Sequence, residues 1–173
     1  MRCALAFLAF VVLGGCGSSP PPEAEPVLST NALPGLEETT EPVTAEELAA
    51  DFGTGVSVDG FVSGTERIFQ GEAHDLDRVV SRTLEFESPG AAAAYVELVR
   101  AHTDDLYGVG TTVEPVEEGG RAGFVVDPAA CACHRASPTL TAAVSKGSRV
   151  TYLEINGDGA TPKSLGQLLR VAP

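Results

Sequence analysis

Basic side chains are scarce in this chain. Against 24 Asp and Glu there are only 11 Lys and Arg, and the formal net charge is −13. Nucleic-acid binding needs a basic patch or stripe, and adhesion of a folded domain to anionic lipid needs basic clusters. Neither is present, so both classes are excluded. A spanning hydrophobic stretch is missing as well. The apolar run Ala4–Leu13 has ten residues, where a membrane-crossing helix needs about 20. The sequence holds no Gly-x-Ser-x-Gly elbow, no Ser-x-x-Lys, no phosphate-cradling glycine loop and no His-Glu-x-x-His, which removes the common hydrolase, nucleotide-binding and zinc-protease signatures. No internal repeat is visible, no catalytic constellation stands out, and no cofactor is expected.

What is there begins with the first sixteen residues. Arg2 supplies a positive start, Ala4–Leu13 an apolar run, and Gly14-Gly15 a pair of small residues before Cys16. A basic start, about 7–15 apolar residues and a small-residue cleavage site make a secretory signal. A buried core helix would not run into Gly-Gly and then Pro20-Pro21-Pro22. Leu13-Gly14-Gly15-Cys16 resembles the lipobox of bacterial lipoprotein precursors. That resemblance implies that the Cys16 thiol takes a diacylglyceryl group and that cleavage just before it leaves Cys16 as the mature N-terminus. Each buried acyl methylene contributes about 0.8 kcal/mol, so two chains anchor stably where one is marginal. The expected partner of Cys16 is therefore the lipid bilayer, with the remainder of the chain on the extracytoplasmic side of the cell membrane.

Three regions follow: a signal over 1–15, a tether over 16–43 and one domain over 44–173. The tether is rich in proline, acids and small polar residues, a composition that does not bury enough apolar surface to fold. Leu33-Pro34-Gly35-Leu36 is the one part of it that can dock on the domain. Within the domain, Thr44-Ala45-Glu46-Glu47 reads as a capping box opening a short helix. Strands are expected over 60–70 and 78–87, with Val80, Leu84 and Phe86 on one face. Ser88-Pro89 caps and starts a helix to Leu106, with Ala91, Tyr95, Leu98, Val99, His102 and Leu106 on one stripe. Four short strands, over 111–117, 123–127, 139–145 and 149–156, alternate with turn residues. Thr161-Pro162 opens a last helix to Val171. The expected fold is α+β: an antiparallel sheet of about five to six strands with helices packed on one face. The wealth of Ala, Val and Gly and the rarity of Lys resemble a GC-rich bacterial composition, and the layout looks like the small α+β domains of exported actinobacterial lipoproteins.

One cluster invites chemistry. Cys131, Cys133 and His134 lie in Pro128-Ala-Ala-Cys-Ala-Cys-His-Arg, between two strands. A disulfide between Cys131 and Cys133 suits an oxidising compartment. It closes so small a ring that it contributes only about 1.6 kcal/mol on the loop-entropy model, so it would shape a loop rather than hold the fold. Two thiolates and an imidazole suit Cu(I) or Zn(II) by softness, but a structural zinc site wants four ligands and this segment offers three. Covalent haem needs one more residue between the cysteines. A cysteine nucleophile needs a histidine near in space, and adjacency in sequence does not supply it. The disulfide is the leading reading and the metal site, on Cys131, Cys133 and His134, its alternative.

His102 belongs to a core-edge stripe, His74 to a polar turn, and the acidic pairs Asp104-Asp105, Glu117-Glu118 and Asp75/Asp77 to solvated surface. Arg82 is out of place, because its parity puts it with Val80, Leu84 and Phe86. Either it reaches the sheet edge or it is buried against a carboxylate such as Glu66 or Glu154. The chain thus reads as a membrane-anchored exported lipoprotein whose domain binds an envelope protein or a small ligand, with no nucleic acid. The rival reading is a thiol-dependent Cu, Zn or redox protein.

Overall fold

The computed structural model describes residues 28–29, 31–53, 55–108, 111–118, 120–127 and 138–172. In chain order these form β1 (Glu37–Val43), α1 (Ala45–Ala50), β2 (Phe61–Ala73), β3 (Leu76–Phe86), α2 (Pro89–Ala101), α3 (Thr103–Tyr107), β4 (Thr112–Glu118), β5 (Arg121–Asp127), β6 (Thr139–Lys146), β7 (Arg149–Asn156) and α4 (Pro162–Val171). The strands make one seven-stranded sheet in the order β1-β2-β3-β7-β6-β5-β4, and every neighbouring pair is antiparallel. No helix of the described residues is long and apolar enough to cross a membrane.

Local chemistry accounts for most element ends. Thr44 and Glu47 make the expected capping box at α1, which satisfies amide donors that have no helical partner. Ser88 caps α2 through the Ala91 amide with Pro89 at the first helical position, and Thr161 and Ser164 do the same for α4. β2 and β3 turn on His74 and Asp75, at φ 60° and 57°. Both central residues of this two-residue hairpin are left-handed, matching the twist of the strands. Gly123 has no substitute in β5, because a Cβ there would lie 2.0 Å from the Ala143 carbonyl oxygen.

The long helix expected from Ser88 to Leu106 is instead two. His102, at φ −107° and ψ 17°, separates α2 from α3. Its ring Nδ1–H donates back to the Leu98 carbonyl at 2.9 Å and the Thr103 hydroxyl to Arg100. The Leu98 carbonyl also accepts from the His102 amide at 3.2 Å, so these side chains add bonds to backbone acceptors at the break.

The sheet is wider than expected, and its helices lie on both faces rather than one. α2 buries Ala92, Tyr95, Val96 and Val99 against Leu84, Phe86, Phe124, Ala143 and Val150. α4 buries Leu165 and Leu169 against Leu140, Ala142, Val144, Leu153 and Ile155. The alternate residues of β6 and β7 therefore face two separate cores. On β6 the residues opposite Leu140, Ala142 and Val144 are Thr141 and Ala143, both fully buried. Each large apolar side chain so covered contributes about 1.5–3 kcal/mol.

The seventh strand comes from the segment read as tether. β1 pairs along its length with β2, from Glu37 opposite Gln70 to Val43 opposite Gly64, yet Glu37–Pro42 are all exposed. An edge strand needs only backbone partners, so a composition unfit for a core still folds there. Glutamates and a proline are also what keep an edge from pairing with another chain. β4, at the far edge, carries Pro115 and glutamates likewise. Upstream, Leu28 is fully buried and Leu33 is 5% exposed, both in the α4-side core. The Leu28 amide donates to Ser81 Oγ at 3.3 Å, and Arg67 Nη1 donates to its carbonyl at 2.6 Å. The domain thus begins at or before Leu28, not at Thr44; residues 16–27 lie outside the described residues.

Leu28→Ala should accordingly lower the unfolding free energy by about 2–5 kcal/mol, the cost of emptying a core site. Urea unfolding followed by circular dichroism measures this. A tether residue would give no change.

Candidate functional site

The site follows from strand parity and register. Arg82 points to the α2 face of β3, flanked by Glu66 on β2 and Tyr152 on β7. A guanidinium half-way across a sheet must be neutralised where it lies or leave the face. Arg82 Nε donates to Glu66 Oε2 at 2.5 Å and Nη1 to Asp51 Oδ2 at 2.9 Å. Its Cζ stands 5.4 Å from the centre of the Tyr152 ring, within cation–π range. The Arg82 side chain is 24% exposed, Glu66 16% and Asp51 41%. Burial disfavours the guanidinium charge, but Glu66 and then Asp51 outweigh it, and its pKa is raised.

Three elements close over this cation. α1 ends at Asp51, so the capping box at Thr44 indirectly places a carboxylate on Arg82. The next residue, Phe52, packs edge-on against Tyr95 at 6.0 Å and His102 at 5.4 Å. α2 presents Tyr95. α3 presents Tyr107, whose hydroxyl lies 3.0 Å from that of Tyr152. Tyr152 donates to Glu154 at 3.2 Å, and Arg78 pairs with the other oxygen of Glu154 at 3.1 Å. The carboxylate only accepts, so Tyr107 donates to Tyr152 and Tyr152 to Glu154.

Between these groups lies a cavity of about 220 Å³, lined by Asp51, Arg82 and Glu154 together with Phe52, Tyr95, Val99, Leu106, Tyr107 and Tyr152. Two larger grooves flank the β4–β5 hairpin, about 360 Å³ beside α2 and about 350 Å³ beneath α4. They have carboxylates and arginines only at their rims, and no such network at their floors. A concave, aromatic-lined space with a few convergent polar groups is the usual form of a small-molecule site, and the Arg82 cavity fits it best.

Arg82, half-buried against Glu66, and Glu154 are the sequence candidates that enter the site; Glu154 lines the cavity but pairs with Arg78 rather than with Arg82. His102 touches it only through Phe52. His74 is exposed in the β2–β3 turn and its Nε2–H donates to the Pro34 carbonyl at 2.9 Å. Asp75, Asp77, Asp104, Asp105 and Glu117 are exposed. Cys16, Cys131, Cys133 and His134 lie outside the described residues. Among the described residues no three His, Cys, Asp or Glu side chains converge closely enough to hold a metal ion. Tyr107, Tyr152 and Asp51 were not singled out by sequence. The two-residue period of β7 could have flagged Tyr152, which shares a face with Val150.

The chain is thus a sheet-dominated α+β domain with a charged, tyrosine-lined cavity. No protein-family profile matches it, and no curated protein does. Among solved structures it is similar to the extracellular domain of PknH from Mycobacterium tuberculosis, 11% identical, with a TM-score of 0.48, over 78% of this chain and 79% of that one. At that level the likeness carries no assignment for the site.

Tyr95, Tyr107 and Tyr152 are all the tyrosines of the chain. Burial raises the pKa of each, with nearby Glu154 adding to the shift at Tyr107 and Tyr152. A phenol whose folded pKa exceeds its unfolded value of about 10 contributes stability that is complete below that value and lost as pH rises through the folded one. Alkaline titration by near-ultraviolet absorbance should therefore show no phenolate near pH 10, then a steep late step together with loss of the circular-dichroism signal. One phenolate forming near its ordinary pKa in the intact fold would contradict the burial of these phenols.

Proposed function

We propose that this protein is an exported lipoprotein, held in the cell membrane by lipid on Cys16, whose α+β domain is a non-catalytic binding module using the Arg82 cavity. One observation carries the binding reading. Arg82 is paired with Glu66 and Asp51, while burial raises the pKa of the tyrosines around it. General acid–base catalysis wants a group poised near the working pH. This cavity instead offers a fixed charge, fixed phenol dipoles and apolar walls, the means of recognition. The anchoring reading rests on Arg2, Ala4–Leu13 and the lipobox-like Leu13-Gly14-Gly15-Cys16.

Residues 17–27 would remain as a proline- and glutamate-bearing spacer between lipid and domain, short and semi-stiff by composition. No cofactor enters this reading, and the partners are the bilayer and a ligand of the envelope. The thiol-centred alternative, Cu or Zn on Cys131, Cys133 and His134, is favoured by no observation among the described residues.

Fractionation of cells expressing the wild type and Cys16→Ala tests the anchor. Wild type should partition with membranes as a processed, lipid-bearing chain, and the variant should be released or remain unprocessed. A Cys16→Ala protein that is processed and membrane-bound like the wild type would overturn the lipoprotein reading.

A further inference from the structure

Granted that the cavity is a binding site, as proposed above, the chemistry around Arg82 names its ligand. A guanidinium presents its N–H donors in a planar fork that suits a carboxylate held by two bonds. Glu66 takes the Nε edge, and Asp51 takes Nη1 alone. No described residue accepts from Nη2. The two carboxylates are held very differently. Glu66 sits opposite Arg82 in the β2–β3 register and is 16% exposed. Asp51 is 41% exposed, at the end of a six-residue helix. Beyond it lie Gly53 and Gly55, at φ 92° and 91°, where the backbone has conformations that other residues rarely adopt.

We propose that Asp51 stands in for a ligand carboxylate: the cavity takes a small organic anion with an apolar body, whose carboxylate displaces Asp51 and engages both terminal nitrogens of Arg82. The exchange replaces one carboxylate on the half-buried guanidinium by another, so Arg82 keeps two carboxylate partners. Asp51 returns to water at little cost, being already half in it. A ligand cation would be set against Arg82 at close range, and a neutral ligand would leave Arg82 with Glu66 as its one carboxylate partner once Asp51 had left.

The rest of the cavity fits such a molecule. Phe52, Val99 and Leu106 supply apolar wall, and Tyr95 lines the space beside Arg82. No described residue accepts a hydrogen bond from the Tyr95 hydroxyl, which is a second donor for the acid. A volume of about 220 Å³ is the liquid share of roughly seven waters. That admits a body the size of one six-membered ring.

The sign of one mutational effect decides the matter. Benzoate, with benzylammonium and benzyl alcohol as cationic and neutral controls, is titrated into the folded domain by calorimetry. The side-chain NMR signal of Arg82 Nε–H is followed in parallel. Benzoate should bind and shift that signal, and the controls should not. Asp51→Ala removes a competitor already seated on Arg82, so it should bind benzoate roughly tenfold more tightly, in line with the larger fraction of competent cavity. Arg82→Gln should not bind it. If that variant fails to fold, the Asp51→Ala result decides alone. Weaker binding by Asp51→Ala would show that Asp51 belongs to the ligand site and overturn the proposal. Binding of benzylammonium or benzyl alcohol in place of benzoate would overturn the anion and leave the binding cavity standing. No binding by any of the three would remove both.

Discussion

The structure turns on a single cation carried inward by the parity of one strand. A row of residues crosses all seven strands at this level: Glu41, Glu66, Arg82, Tyr152, Ala143, Phe124 and Pro115. From Ala143 and Phe124 the row passes into a dry core under α2. At Arg82 it carries a full charge that water reaches only in part. Such a charge is tolerable when paired and hydrogen-bonded. The sheet supplies Glu66 through register, and α1 supplies Asp51 through its position over β3. Tyr152 adds its ring face. The placement of Asp51 by α1 and the polar side of the cavity answer to this one requirement.

The opposite face is built on different terms. Its core is apolar throughout, closed by α4 on β6 and β7 and by Leu28 and Leu33 near β2 and β3. Arg121 reaches from β5 to the Leu169 and Ala172 carbonyls at 2.6 Å each. A cation at the end of α4 satisfies carbonyls left without helical partners and opposes the helix dipole. Here charge finishes an element; on the other face it organises a site. The acidic, proline-bearing edges β1 and β4 keep the wide sheet from extending into a second chain.

Much of this was legible in the sequence where local chemistry decides. Capping signals at Thr44, Ser88 and Thr161 placed three helix starts, and β7 was read with its observed ends. Arg82 was visible as an anomaly of parity, with Glu66 among its possible partners. Asp51 was not, because α1 meets β3 only through tertiary packing across 31 positions. β1 left no pattern, since an edge strand with every outer side chain exposed has no apolar alternation. The two-sided burial of the sheet was obscured because Thr141 and Ala143 are small and polar or nearly neutral in character. The break between α2 and α3 falls at His102, where side chains bond back to Leu98 and Arg100, a feature that no periodicity reveals. Cys16, Cys131, Cys133 and His134, the residues with the clearest chemistry in the sequence, lie outside the described structure.

The central claim is that Arg82 and Glu66 stand or fall together. A double-mutant cycle on the two, with leucine at each position and stability read by urea unfolding, tests it. Glu66→Leu alone leaves a cation with one partly exposed partner, and Arg82→Leu alone leaves an inward carboxylate. Each should be distinctly destabilising, while the double variant should recover much of the loss, with a coupling of about 2 kcal/mol or more, as for partners in a poorly solvated pair. Additive losses, within about 0.5 kcal/mol, would mean that the pair is an ordinary surface contact and that the cavity is not organised around it.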